Sequence, residues 1–142
     1  FCARGAKILD QVMAKHKGKV RFFLKHNPLD MHKQAVPAAL YFEAIAKQDH
    51  EKAWKFHDLA FERQESLKGG ENALKKIAMS IGVDTKRLES DLKDPELKSI
   101  IDRDMKEAQK FGFNGTPAFL INGVSLRGAY PEKSFSDIIA LF

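Results

Sequence analysis

Apolar residues recur at helical spacing over most of this chain and alternate only near its two ends. Ile8, Leu9, Val12 and Met13 fall on one stripe, which predicts a helix from Ala3 to about His16, ended by Gly18. Val20, Phe22 and Leu24 then alternate with Arg21, Phe23 and Lys25, the signature of a strand. Pro28 closes that strand, because proline cannot continue a ladder. From about Gln34 to Phe111 the spacing is helical almost throughout. Leu40, Tyr41, Ala44 and Ile45 mark one helix, with Pro37 in its first turn. Trp54, Phe56, Leu59, Ala60 and Phe61 mark a second, from about Glu51 to Gln64. After the break at Gly69-Gly70, Leu74, Ile77, Ala78 and Ile81 mark a third, capped by Gly82. Asp84 or Thr85 caps a short helix carrying Leu88 and Leu92. Asp94-Pro95 pairs an N-cap with a proline at the first helical position and starts another, stopped by Gly112.

The tail changes character. Ala118-Phe119-Leu120-Ile121 is a short apolar run behind the turn cluster Asn114-Gly115-Thr116-Pro117. Asn122-Gly123 is a strong two-residue hairpin signal, since both positions tolerate positive φ. Val124 to Arg127 is the return strand, and a last helix after Pro131 turns Phe135, Ile138 and Ile139 inward. The order is helix, strand, a block of helices, a hairpin and a helix: one α/β unit interrupted by a helical insertion. The punctuation divides it at residues 1–33, 34–111 and 112–142.

Composition removes several classes. The 142 residues are 44% hydrophobic and 30% charged, enough for a sizeable globular core. A single cysteine cannot close a disulfide within this chain. No apolar run approaches the ~18 residues of a membrane-spanning helix. Lys and Arg number 24 against 19 Asp and Glu, a net charge of +5. The basic residues are scattered along the sequence, in runs no longer than pairs such as Lys75-Lys76. They mark solvated helix faces rather than a nucleic-acid footprint. The chain opens on Phe1 with no secretory leader ahead of it, as if a folded unit had been cut.

Two features carry candidate chemistry. Cys2 stands in the first turn of the first helix, where unpaired N–H groups and the helix dipole favour thiolate over thiol. Thiolate is the species that attacks or leaves in thiol–disulfide exchange. The bland alternative is a small, buried, inert cysteine. Pro117 sits between a turn and an apolar strand. A first-strand position or a cis bond accommodates it there, and the ~5–6% frequency of cis X-Pro bonds favours trans on local grounds alone.

In combination these segments resemble the DsbA-like thiol–disulfide oxidoreductases of the thioredoxin superfamily. Phe1-Cys2-Ala3-Arg4-Gly5-Ala6 is similar to the second half of their Cys-X-X-Cys motif and the helix that follows. The stretch from Val20 to Leu29 is similar to their next strand, and Lys52 to Phe61 to a segment of their inserted domain. Gly115-Thr116-Pro117-Ala118-Phe119-Leu120-Ile121-Asn122-Gly123 resembles their cis-proline loop and hairpin, the most specific of the matches. The resemblance implies a thioredoxin-like fold with an inserted all-helical domain. It implies that Cys2 is the resolving cysteine and that Pro117 is the cis-proline facing it. Thr116 would offer its backbone to an extended substrate, with Phe1 and Gly115 beside it. The attacking cysteine would lie three residues before Cys2, ahead of Phe1.

The expected activity is disulfide exchange with cysteine-containing proteins through a mixed disulfide, with no metal or organic cofactor and possible exchange with a redox partner protein. The expected compartment is the bacterial periplasm or the exterior. Two other readings stay open: a redox-inactive peptide-binding module of the same fold, and a glutathione-dependent transferase or isomerase. The fold also implies a central strand between Val20–Leu24 and Ala118–Ile121 that this sequence lacks. Either the sequence continues upstream or another chain supplies the strand, since each unsatisfied buried backbone group costs about 1–3 kcal/mol. Among the other polar residues, His26 follows a strand, where it would either lie near the active site at the strand's C-terminal edge or, the plainer reading, sit in a surface loop. His57 reads as partly buried packing that does not share a face with Asp58. Trp54, Phe56 and Phe61 read as insertion core.

Overall fold

The computed structural model describes residues 1–142 and contains seven α-helices and two strands. The helices are α1 (Cys2–Lys15), α2 (Ala35–Gln48), α3 (His50–Glu62), α4 (Glu71–Ser80), α5 (Thr85–Asp91), α6 (Pro95–Lys110) and α7 (Glu132–Ile139). The strands are β1 (Ala118–Ile121) and β2 (Val124–Arg127). A 3₁₀ segment, Gln64–Gly69, links α3 to α4.

Helix ends follow local chemistry. The Asp49 carboxylate accepts from the N–H groups of Glu51 and Lys52 at 2.8 and 3.2 Å. Asp84 does the same for Arg87 at 3.0 Å, and Asp94 for Glu96 at 2.9 Å. Each such cap is worth about 1 kcal/mol. Gly82, at φ 73°, ends α4. Its N–H donates to the Met79 carbonyl, and the Val83 N–H donates to that of Ala78, which together make a Schellman cap. Asn122 and Gly123 both take positive φ and close the hairpin, so Ala118 pairs with Arg127 and Ile121 with Val124.

The chain separates into two compact units, one of Phe1–Leu24 with Ala108–Phe142 and one of Lys25–Glu107. In the first, α1 packs on α7, and Val12 of α1 and Phe135 of α7 are buried. Phe119 of β1 meets Phe135 edge-on at 4.8 Å. Lys15 pairs with Glu132 at 3.0 Å, and the His16 ring bonds Ser136 at 2.7 Å. The Ser136 hydroxyl also donates to Glu132; that bond, and then the Lys15 ammonium, hold the Glu132 carboxyl below its ordinary range.

The helical unit has its own core of Tyr41, Ala44, Ile45, Ala53, Phe56, Leu74, Ile77, Leu88 and Leu97. Tyr41 stacks on Phe56 at 6.0 Å, and its hydroxyl donates to Glu71 at 3.3 Å. Burial, and then the Glu71 charge, push the Tyr41 phenol up to about 12.

Three expectations are corrected. Val20–Leu24 keeps its alternation, with Val20, Phe22 and Leu24 half-buried and Arg21 and Phe23 exposed, yet it forms no strand. The sheet is β1–β2 alone, and a strand exists only through a ladder partner. His26 is not a surface residue. It is 8% exposed, its ring 2.7 Å from Glu43 Oε1, and its backbone N–H donates to buried Asp104 at 3.1 Å. Lys25 reaches Glu107 at 2.8 Å, and this bond, together with Asp104, raises its pKa. These ties belong to the helical unit, which includes residues 25–33. His57 does touch Asp58, with Nδ1 3.0 Å from Oδ1, because neighbouring side chains can bend around the helix toward each other. Its ring also packs among Phe42, Trp54 and Phe61.

Phe56→Ala removes a ring that is 1% exposed at the centre of the helical core. We expect a loss of about 3–5 kcal/mol. Denaturant unfolding followed by the emission of Trp54, the single tryptophan, checks this within the same unit.

Candidate functional site

α1 begins at Cys2 with no side-chain cap and no acid in its first turn. The first helical bond runs from the Gly5 N–H to the Phe1 carbonyl, 2.9 Å. The N–H groups of the residues before Gly5 therefore have no acceptor within the helix. Cys2 is a free, partly buried thiol. Phe1 is exposed, and the Arg4 guanidinium lies 5.9 Å over its ring while donating to the Ala129 carbonyl at 2.9 Å. That bond ties the start of α1 to the segment leading into α7.

Opposite this turn lies the loop before β1. The Thr116–Pro117 peptide is cis, as the resemblance implies and against the purely local preference for trans. Pro117 has no N–H to donate, but its carbonyl accepts from Gly128 at 2.9 Å and extends the hairpin pairing by one step. A Cβ placed on Gly5 would stand 3.0 Å from Cγ and 3.2 Å from Cβ of Pro117, so the helix backbone rests on the proline ring. Cys2 and Gly5 are one helical turn apart and neighbour each other on the helix surface. The Cys2 turn thus borders the Thr116–Pro117 loop.

A cleft of about 210 Å³ opens beside the loop, lined by residues 113–118 together with Arg127 and Gly128. Of the residues singled out by sequence, Gly115, Thr116 and Pro117 line this cleft together, whereas Phe1 and Cys2 do not. The sequence reading assigned no role to Gly5 or Arg127. A glycine in the first turn of a helix was a signal of close approach. The register implied by Asn122-Gly123 already set Arg127 opposite Ala118.

The family model described as thioredoxin matches residues 1–140. The chain belongs to the thioredoxin family. A thioredoxin-like oxidoreductase from Silicibacter pomeroyi is similar in structure, at 26% identity and a TM-score of 0.83, over 99% of this chain and 78% of that one. The thiol-disulfide exchange protein alpha-DsbA2 of Wolbachia pipientis superposes at a TM-score of 0.84 with 19% identity, over 99% and 74% of the two chains, a likeness of fold. The thioredoxin-like fold expected from sequence is therefore present. Among curated relatives, a protein of Herminiimonas arsenicoxydans named Na(+)/H(+) antiporter NhaA is 29% identical over 98% of this chain. The chain spans 21% of that protein's length. A probable disulfide bond formation protein D from Bacillus cereus is 29% identical over 75% of this chain and 51% of its own length. No helix of this thioredoxin-family chain is long and apolar enough to cross a membrane.

The contact between helix and proline sets the sign of a substitution at Gly5. Alanine in a helix normally gains about 1 kcal/mol over glycine. Against a rigid ring at 3.0 Å, overpacking costs about 1–3 kcal/mol and wins. We expect Gly5→Ala to lower the urea midpoint and Gly5→Val to lower it further. Gly115→Ala, with nothing within 4 Å of the added methyl, leaves it near wild type.

Proposed function

We propose that this chain carries the resolving half of a thiol–disulfide oxidoreductase acting on cysteine-containing polypeptides. One observation carries the reading: Gly5 seats the first turn of α1, headed by Cys2, directly against the Pro117 ring. A polypeptide held along residues 115–117 then lies beside that turn. Thr116 offers it main-chain hydrogen bonds in the manner of an added strand. Phe1 and Gly115 flank it, both exposed.

The exchange conserves sulfur and electrons. A thiolate three residues ahead of Cys2 attacks a substrate disulfide, forms a mixed disulfide and releases one substrate thiolate. Cys2 thiolate attacks the first enzyme sulfur, closes the internal disulfide and releases the second substrate thiolate. Two electrons pass from the enzyme dithiol to the substrate, and the reverse sequence oxidises a substrate dithiol. A redox partner protein restores the enzyme by the same exchange. The working compartment is the periplasm or exterior, where disulfides persist.

A second reading is peptide binding at the same loop without exchange, favoured by the cleft that Gly115, Thr116 and Pro117 line together. One experiment separates the two. The full-length protein should reduce insulin disulfides with a dithiol present. Cys2→Ser should drop turnover to the uncatalysed rate and accumulate a covalent adduct with the substrate, read by intact mass. Undiminished turnover in Cys2→Ser overturns the assignment of Cys2. Binding of cysteine peptides without turnover by the wild-type protein supports the second reading.

A further inference from the structure

We infer that Arg127 makes this site selective for acidic polypeptides, seating a carboxylate side chain that neighbours the reacting cysteine. The inference rests on the exchange reading above and names its substrate class.

The cleft next to the Thr116–Pro117 loop holds about 210 Å³. At ~30 Å³ per water this takes several waters or one extended acidic side chain, not a folded element. Phe113, Pro117 and Ala118 give it an apolar wall that would receive the methylenes of such a side chain. Arg127, paired with Ala118, also lines it.

The Arg127 guanidinium is uncommitted. It forms no ion pair, and its one hydrogen bond is a long 3.5 Å contact from Nη2 to the Phe111 carbonyl. The Phe113 ring lies 5.8 Å away and helps to hold the guanidinium in place. A guanidinium carries five N–H donors in a planar fork matched to a carboxylate. Register fixes its place. Arg127 pairs with Ala118, the first residue of β1, so it stands at the end of the hairpin where a polypeptide would pass Pro117.

The surroundings add to the preference. The unit that holds Cys2 and Pro117 carries nine Lys and Arg against three Asp and Glu. Of those acids, Glu132 is paired with Lys15 and Asp137 with Lys133. The helical unit carries 15 basic and 16 acidic residues and is close to neutral. The excess positive charge of the chain therefore sits on the unit that would meet substrate. Such a field speeds encounter with anionic chains and disfavours basic ones.

The test uses the full-length protein and disulfide-bearing peptides of identical length, with Glu or Gln beside the reacting cysteine. The readout is the ratio of their exchange kcat/KM values. We expect the Glu peptide to lead by about fivefold, the upper range for an exposed ion pair. Arg127→Gln should bring the ratio close to one, and Arg127→Lys should restore part of it. A ratio internal to each variant is insensitive to the fraction folded. Equal rates for the two peptides in the wild type overturn the acidic preference and leave exchange standing. A full preference retained in Arg127→Gln overturns the role of Arg127. If neither peptide exchanges, the exchange reading fails. The affinities of the same peptides with serine in place of cysteine then decide the preference: tighter binding of the Glu form, lost in Arg127→Gln, supports it, and equal affinity overturns it.

Discussion

The approach of a helix backbone to a proline ring organises the site-bearing unit. Gly5 has no side chain, so the first turns of α1 lie directly on Pro117. Any larger residue there would push the helix off the loop, and the Cys2 turn would move with it. The contacts around this point hold the same three elements together. Arg4 bonds the Ala129 carbonyl, Phe119 packs edge-on against Phe135, and Lys15 pairs with Glu132. Helix start, hairpin and last helix are thereby fixed to one another within a small unit. Packing supplies most of the stability, and the polar contacts supply register and direction.

The helical unit is built on a different principle. Its core is a continuous cluster of aliphatic and aromatic side chains from α2 to the start of α6. Its chain entry is held by charge: Lys25 and His26 meet Glu107, Asp104 and Glu43. The chain passes from one unit to the other after Leu24 and returns within α6. An aromatic group of Phe42, Trp54, His57 and Phe61 belongs to this unit.

Membership of the thioredoxin family and the antiporter-named relatives describe the same residues at two scales. The chain covers almost all of a thioredoxin-family model but about a fifth of those longer proteins. What the chain itself offers is a sulfur at a helix start, a cis-proline loop packed against that helix, and a guanidinium lining the adjoining cleft. Its charge is distributed to match. All of the excess positive charge lies on the unit holding these groups.

Local signals in the sequence determined most elements by themselves. The caps at Asp49, Asp84 and Asp94, the Schellman glycine at Gly82 and the Asn122-Gly123 turn depend only on residues a few positions away, so they were legible without a fold. The hairpin register that pairs Arg127 with Ala118 follows from that turn by counting. Resemblance in sequence also marked Gly115, Thr116 and Pro117. What depends on distant partners was not legible. Val20–Leu24 has the alternation of a strand but no ladder, because pairing is a property of two segments. His26 looked like a loop residue until Glu43 and Asp104, remote in sequence, were brought to it. Scattered lysines and arginines became an excess on one unit only after folding sorted them. The packing of Gly5 on Pro117 joins residues more than a hundred positions apart, and only tertiary structure decides a contact between segments that distant.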